Sequence, residues 1–346
     1  SFMAPFMSCG ARLPVYAVFA AAFFPFAAGG IVFSLYFIGI VVAILTGFVL
    51  KKTLFRGTVS HFVMELPPYH TPRVKFVFAQ AWQRLRAFVV RAGLTIVLIV
   101  TVLAFLNTVG TDGTIGHDDQ DDSVLSAIGR AITPVFAPMG IEDDNWPATV
   151  GLFTGIFAKE VVVGTLSSLY AQQNVAAEAS AAGDAAAGAD EGFDFWGGVG
   201  ESFASIPEAL GGALGGIADP LGTGLVSSDA ETVGAEVGAG AGVFARMRSQ
   251  FTPTAAYAYL LFVLLYIPCV AAVAAAIREM GAGLGWLMVG YTTIVAWSLA
   301  TLFYQVASGP AFAPVLIAVG LLAALVGGLW ILGRTVYRPS AIEGRA

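Results

Sequence analysis

The chain has 346 residues, 57% hydrophobic and 12% charged, with a formal net charge of -6 and a mean hydropathy of +0.80. Repeated long apolar runs at this composition exclude an ordinary soluble domain and point to an all-α, polytopic integral membrane protein. Cys9 and Cys269 lie far apart in apolar segments and give no sign of a disulfide framework.

The chain opens in mid-hydrophobic sequence, Ser1-Phe2-Met3, as a piece of something longer would. Residues 2–16 read FMAPFMSCGARLPVY, where Pro5, Gly10 and Pro14 break a helix and release backbone carbonyls beside Cys9. Residues 19–25 continue the apolar character. Residues 29–50 predict a membrane helix of the ~20 residues a bilayer requires, stopped by Lys51 and Lys52. Basic residues dominate 51–91, with Glu65 the lone acid, which assigns that stretch to the cytoplasmic side. The prolines of ELPPYHTP, residues 65–72, predict an extended or turning segment. A basic amphipathic surface helix is expected over 73–86 and a span over 88–109, with Arg91 snorkelling at its inner end.

Acids dominate 110–145, which places that loop outside. The cluster Asp118 to Asp122 lacks the ligand order and glycine of an EF-hand and reads as a solvated loop. A short interfacial helix is expected over 123–138. Residues 151–166, GLFTGIFAKEVVVGTL, resemble a membrane helix with Lys159 and Glu160 side by side in its middle. A charge near the bilayer centre costs roughly 2.5–3.5 kcal/mol on insertion scales, and such residues face a bundle interior, a cavity or a partner. The plain structural reading pairs the two charges with each other or with carbonyls. The functional reading puts them on a transport pathway. Gly151, Gly155 and Gly164 suit close helix approach or a broken, re-entrant helix.

Residues 171–250 are rich in Ala, Gly and acids, with a low-complexity, mobile stretch over 176–189 and a linker over 234–242. Part of 193–221 keeps enough apolar residues to pack on the membrane domain. Three more spans follow over 255–277, 284–306 and 311–332. If 146–170 crosses fully, Arg278, Arg334 and Arg338 fall outside. If it dips in and returns, all three fall inside and the acidic insert lies outside, which the positive-inside rule prefers. The end, Ile342-Glu343-Gly344-Arg345, matches a protease-cleavage linker and is set apart from the fold.

Cys9 and Cys269 each sit beside prolines. A packed, inert thiol is the common case. At Cys269, however, Pro268 frees a carbonyl one turn earlier, so a thiol and loose carbonyls share one place. Thiolates favour softer transition metals over Mg²⁺ or Ca²⁺. Met3 and Met7 lie near Cys9 and can assist a soft cation transiently, although methionine is more often gap filler. His61, His70 and His117 have no metal-ligand spacing. Neither a nucleotide-binding nor a hydrolase motif is present, and nothing points to nucleic acid.

The segments FMSCGARLPVY, MELPPYHTP, LFTGIFAKEVVVGTLSSLY, YLLFVLLYIPCVAAVAAAIRE and LATLFYQVAS, in that order, resemble the membrane domain of the FeoB ferrous iron transporters. The resemblance covers nearly all of 6–308 outside the insert. It implies a Gate-type helical fold and a GTPase domain that this chain lacks, so that GTP acts only through that domain. It implies Fe²⁺ as transported substrate, with no permanently bound cofactor. Its implied partners are the bilayer, the chain's own N-terminal GTPase domain, a small FeoA-like accessory protein and a homo-oligomer, in a bacterial inner membrane. By the same resemblance, Cys9 and Cys269 are iron-path cysteines, and Glu65 and Glu160 match acidic motif positions. The implied organisation is a C-terminal-type membrane segment over 1–60, a Gate-type repeat over 61–170, the insert over 171–253, C-terminal helices over 254–338 and the tail over 339–346. The alternatives weighed are a Gate-fold carrier of an organic solute, such as a nucleoside, and a non-transporting membrane scaffold.

Overall fold

The computed structural model describes residues 2–54, 73–110, 123–157, 159, 161–182, 241–309 and 311–335. The regular structure among these is helical apart from one isolated bridge, Gly110 to Ser123. In chain order the α-helices are α1 (Leu13–Phe23), α2 (Ala28–Thr53), α3 (Val74–Thr108), α4 (Val124–Phe136), α5 (Trp146–Phe157) and α6 (Val161–Ala182). They continue as α7 (Ala241–Gln250), α8 (Pro253–Leu265), α9 (Val270–Met280), α10 (Ala282–Ser308) and α11 (Phe312–Thr335).

Length and composition make α2, the α8–α9 pair, α10 and α11 able to cross a membrane. α2 and α11 leave their large apolar side chains outward, among them Phe33, Phe37, Ile44, Phe48, Phe312 and Leu316, as a lipid-facing surface requires. The core is aromatic: Tyr16, Phe19, Tyr170 and Tyr259 are fully buried, and Phe19 stacks on Tyr259 with centroids 4.9 Å apart.

Local chemistry sets the helix ends. Ser123 Oγ accepts from Ser126 N at the start of α4, and Thr252 Oγ1 does the same for Ala255 N ahead of Pro253, the first residue of α8. Between α8 and α9, Tyr266 is extended and Pro268 offers no N–H, so the helix stops and restarts with Cys269 at its N-cap. Gly281, at φ 86°, ends α9 in a conformation that favours glycine.

Contacts that step along the helices give their directions. Along α10, Ser308 meets Thr254, Phe303 meets Tyr257, and Gly285 lies against Ile277. One antiparallel partner thus follows both α8 and α9, so their break interrupts the span without reversing it. α5 and α6 differ. Tyr170 bonds Asn145, Leu166 faces Gly151 and Val162 faces Gly155, so the two helices fold back on each other between Phe157 and Val161. α2 runs with α8: Ser34 bonds Tyr257 and Gly39 abuts Leu264. Gly333 of α11 rests on the Thr53 carbonyl at the end of α2. Lys51, Lys52, Arg278 and Arg334 consequently share one end of the bundle. Lys52 and Arg334 lie over the rings of Phe48 and Trp330 there, as amphipathic cations do near a membrane interface.

Two helical expectations change. The surface helix and span expected over 73–86 and 88–109 are one helix, Val74–Thr108; no proline separates them, and Gly93 alone does not break a helix. Of the stretch expected to be mobile over 176–189, residues 176–182 continue α6, which runs to Ala182 on an alanine-rich run with high helix propensity. The Asp118 to Asp122 cluster, the three histidines, residues 183–240 and the tail lie outside the described residues.

Candidate metal pathway

α1 has only 11 residues, about 16 Å of helix, or half a bilayer core. It runs antiparallel to α8, with Phe19 on Tyr259 and Phe23 on Phe251, so its first turn lies level with the end of α8. Ahead of it, Pro5 and Gly10 hold the chain to short turns, Ala4–Phe6 and Gly10–Arg12, with Cys9 extended at the second N-cap. Arg12 is 2% exposed and donates to the carbonyls of Met7 at 3.2 Å and Pro5 at 3.1 Å. Two carbonyls near the expected break are thereby taken by an internal cation and are not free for a metal.

α5 and α8 point the same way. Tyr259 Oη donates to the Ala148 carbonyl at 3.1 Å; seven residues further along both helices, the Tyr266 hydroxyl sits against Gly155. A side chain at Gly155 would overlap Tyr266 and Val162, so glycine permits this approach. The turn after α5 and the break after α8 therefore lie at one depth. Lys159 in that turn is 3% exposed, with its ammonium 4.4 Å from the centre of the Tyr266 ring.

A cavity of about 360 Å³ opens where these breaks meet. Its walls include Met7, Cys9, Arg12, Lys159, Pro268, Cys269, Ala272, Ala276, Glu279 and Met288. The structure thus brings the two cysteines, from opposite ends of the sequence, onto one cavity with Lys159. Neither thiol is packed away: Cys9 is exposed and Cys269 is half-buried. The Cys269 carbonyl accepts from Ala272 N and Val273 N at 2.9 and 3.0 Å, which leaves the thiol as that residue's unused donor atom. Met3 does not line the cavity; its side chain lies against Gly47. Glu160 and Glu65 lie outside the described residues.

Among the described residues, no group of three or more His, Cys, Asp or Glu side chains is close enough to hold a metal. The cavity instead offers two thiols, the thioethers of Met7 and Met288, and one carboxylate, Glu279. Such a wall suits brief, soft coordination of a passing ion rather than a closed cage. Sequence reasoning passed over Glu279, Met288 and Arg12. Cys269, Ala272, Ala276 and Glu279 recur at helical spacing, a signal that acquires meaning only once Cys269 is known to start a helix.

The first matching family model, described as Ferrous iron transport protein B C terminus, covers residues 32–84. The second, Gate, described as Nucleoside recognition, covers residues 89–186. Three similar curated proteins are each called Fe(2+) transporter FeoB. That of Legionella pneumophila (strain Paris) is 45% identical over 305 residues, that of Salmonella typhimurium 47% over 308, and that of Shigella flexneri 46% over 308. Each alignment takes in 88% of this chain and 38% of the relative, so the chain spans well under half the length of these proteins. No match is found among solved structures. With both regional models in order and these identities over most of its length, the chain is similar to the C-terminal membrane region of the FeoB proteins.

Proposed function

We propose that this chain is the membrane-permease part of a GTPase-coupled Fe²⁺ uptake transporter of a bacterial inner membrane. Fe²⁺ passes the cavity between Cys9 and Cys269, and Lys159, Glu160 and Glu65 act along the same pathway. The observation that carries the reading is the meeting of both thiols on one cavity at the depth where α5 and α8 end. Thiolates attract transition metals over Mg²⁺ or Ca²⁺, and binding releases their protons. GTP hydrolysis belongs to the separate G domain, and FeoA-like and second-copy partners belong to the assembled transporter.

In this reading the basic end of the bundle is cytoplasmic. The α5–α6 hairpin enters and leaves from the outer side, which carries the insert. The family divisions over 1–60, 61–170, 171–253, 254–338 and 339–346 are kept as the working organisation. An organic solute such as a nucleoside fits less well, because Ala, Met and Pro line much of the cavity where such a solute needs several placed hydrogen-bonding groups. A scaffold needs no cavity with two thiols. Fe²⁺ flux into proteoliposomes holding the full-length protein tests the proposal. Flux that requires the membrane part and is lost in C9S or C269S supports it; wild-type flux in the folded C9S/C269S variant contradicts it.

A further inference from the structure

We infer that Glu279 receives the ion from the thiols and passes it to water at the basic end of the bundle; the inference rests on the thiol pathway proposed above. Cys269, Ala272, Ala276 and Glu279 all line the cavity, and their spacing puts them on one stripe of α9. Ten residues separate the first from the last, about 15 Å along the helix axis. The residues between them on the stripe are alanines, so the wall is low from the thiol to the carboxylate.

The placement of Glu279 is otherwise unfavourable. It lies in the last turn of α9, ahead of Gly281, where the helix dipole disfavours an anion. Its carboxylate is exposed to solvent and makes neither a hydrogen bond nor an ion pair among the described residues. The surrounding charge supplies a reason. Lys51, Lys52, Arg278 and Arg334 share this end, and an emerging cation meets their repulsion. Glu279 is the one acid among the described residues lining the cavity.

The donors therefore change along the path from sulfur to oxygen. Fe²⁺ accepts both, and carboxylate and water favour harder, hydrated coordination. The step breaks metal–sulfur contacts and forms metal–oxygen contacts with no change of oxidation state. The thiolates regain from water the protons released on binding.

The experiment uses the full-length protein in proteoliposomes, with Fe²⁺ influx and, separately, the near-ultraviolet thiolate-to-Co²⁺ absorption as readouts. E279Q is expected to keep the Co²⁺–thiolate band at unchanged stoichiometry and to lose at least tenfold in influx, with E279D recovering part of it. C9S/C269S is expected to lose both. Wild-type influx in E279Q and E279A, beside lost influx in C9S/C269S, overturns the role of Glu279 and leaves the thiol pathway standing. Loss of the band in both E279Q and E279D also overturns it, since Glu279 would then belong to the binding step or to the fold. Wild-type influx in C9S/C269S instead removes the pathway itself.

Discussion

Tyr170 and Asn145, 25 residues apart, are joined by a hydrogen bond of 2.6 Å from the tyrosine hydroxyl to the amide oxygen. The same Asn145 donates to the Gln250 carbonyl at 3.3 Å. One buried amide thus ties the open end of the α5–α6 hairpin to the end of α7. The hairpin is held at its base by this polar link and at its tip by close packing about Gly155.

Tyr170→Phe removes the hydroxyl and leaves the Asn145 oxygen buried, with an expected loss of about 1–3 kcal/mol. Asn145→Ala breaks both links and is expected to cost more. Thermal unfolding in detergent, followed by a fluorescent thiol-independent probe, ranks the two. Equal stability of Tyr170→Phe and wild type would mean that the base of the hairpin is held by packing alone.

At the tip, Gly155→Val places a branched side chain where Tyr266 and Val162 already stand. Overpacking of this kind typically costs about 1–3 kcal/mol. Gly164→Ala, where an added carbon meets nothing within 4 Å, should be tolerated. Comparable folded yields from Gly155→Val and Gly164→Ala would argue against the close approach of α5 and α8.

Much of this was legible in the sequence, and the reason is local. Pro268 removes an N–H whatever its surroundings, so a loosened backbone beside Cys269 could be read directly, although the single span expected over 255–277 is two helices, α8 and α9. The end of α2 at its lysines and the short helix after Ser123 were equally plain. The depth of each break was not, because it depends on contacts such as Tyr259 with Ala148 across more than a hundred residues. Carbonyls expected to be free near Cys9 proved to be bound by Arg12, a side-chain choice that spacing does not reveal. Glu279 drew no notice in the sequence, because only the cavity wall joins it to Cys269.

The proposed topology puts the basic end of the bundle on the cytoplasmic side. Single cysteines at Ser180 and Ser340, in a cysteine-less background, can be labelled in intact cells with an impermeant thiol reagent. Labelling at residue 180 but not at 340 is expected. The reverse pattern would mean that α5 and α6 cross the membrane in another way.

Glu160→Gln keeps the shape of the side chain and removes its charge. A pathway role predicts reduced metal influx at near-normal protein levels. A purely structural pairing with Lys159 predicts loss of folded protein, because breaking a buried pair leaves a charge uncompensated, at about 3–5 kcal/mol. Protein level by immunoblot and influx in the same cells separate these outcomes, and normal values for both would remove Glu160 from the pathway.

The central claim is that Cys9 and Cys269 serve one ion. Fe²⁺ influx through the full-length protein is measured for wild type, C9S, C269S and the double variant, with Zn²⁺, Co²⁺ and Mg²⁺ as competitors. Each single change should impair influx, and the double should be little worse than the poorer single, since residues sharing one site are non-additive. Zn²⁺ and Co²⁺ should compete and Mg²⁺ should not. Wild-type Fe²⁺ influx through a folded double variant would contradict the account and leave both thiols as lining without a transport role.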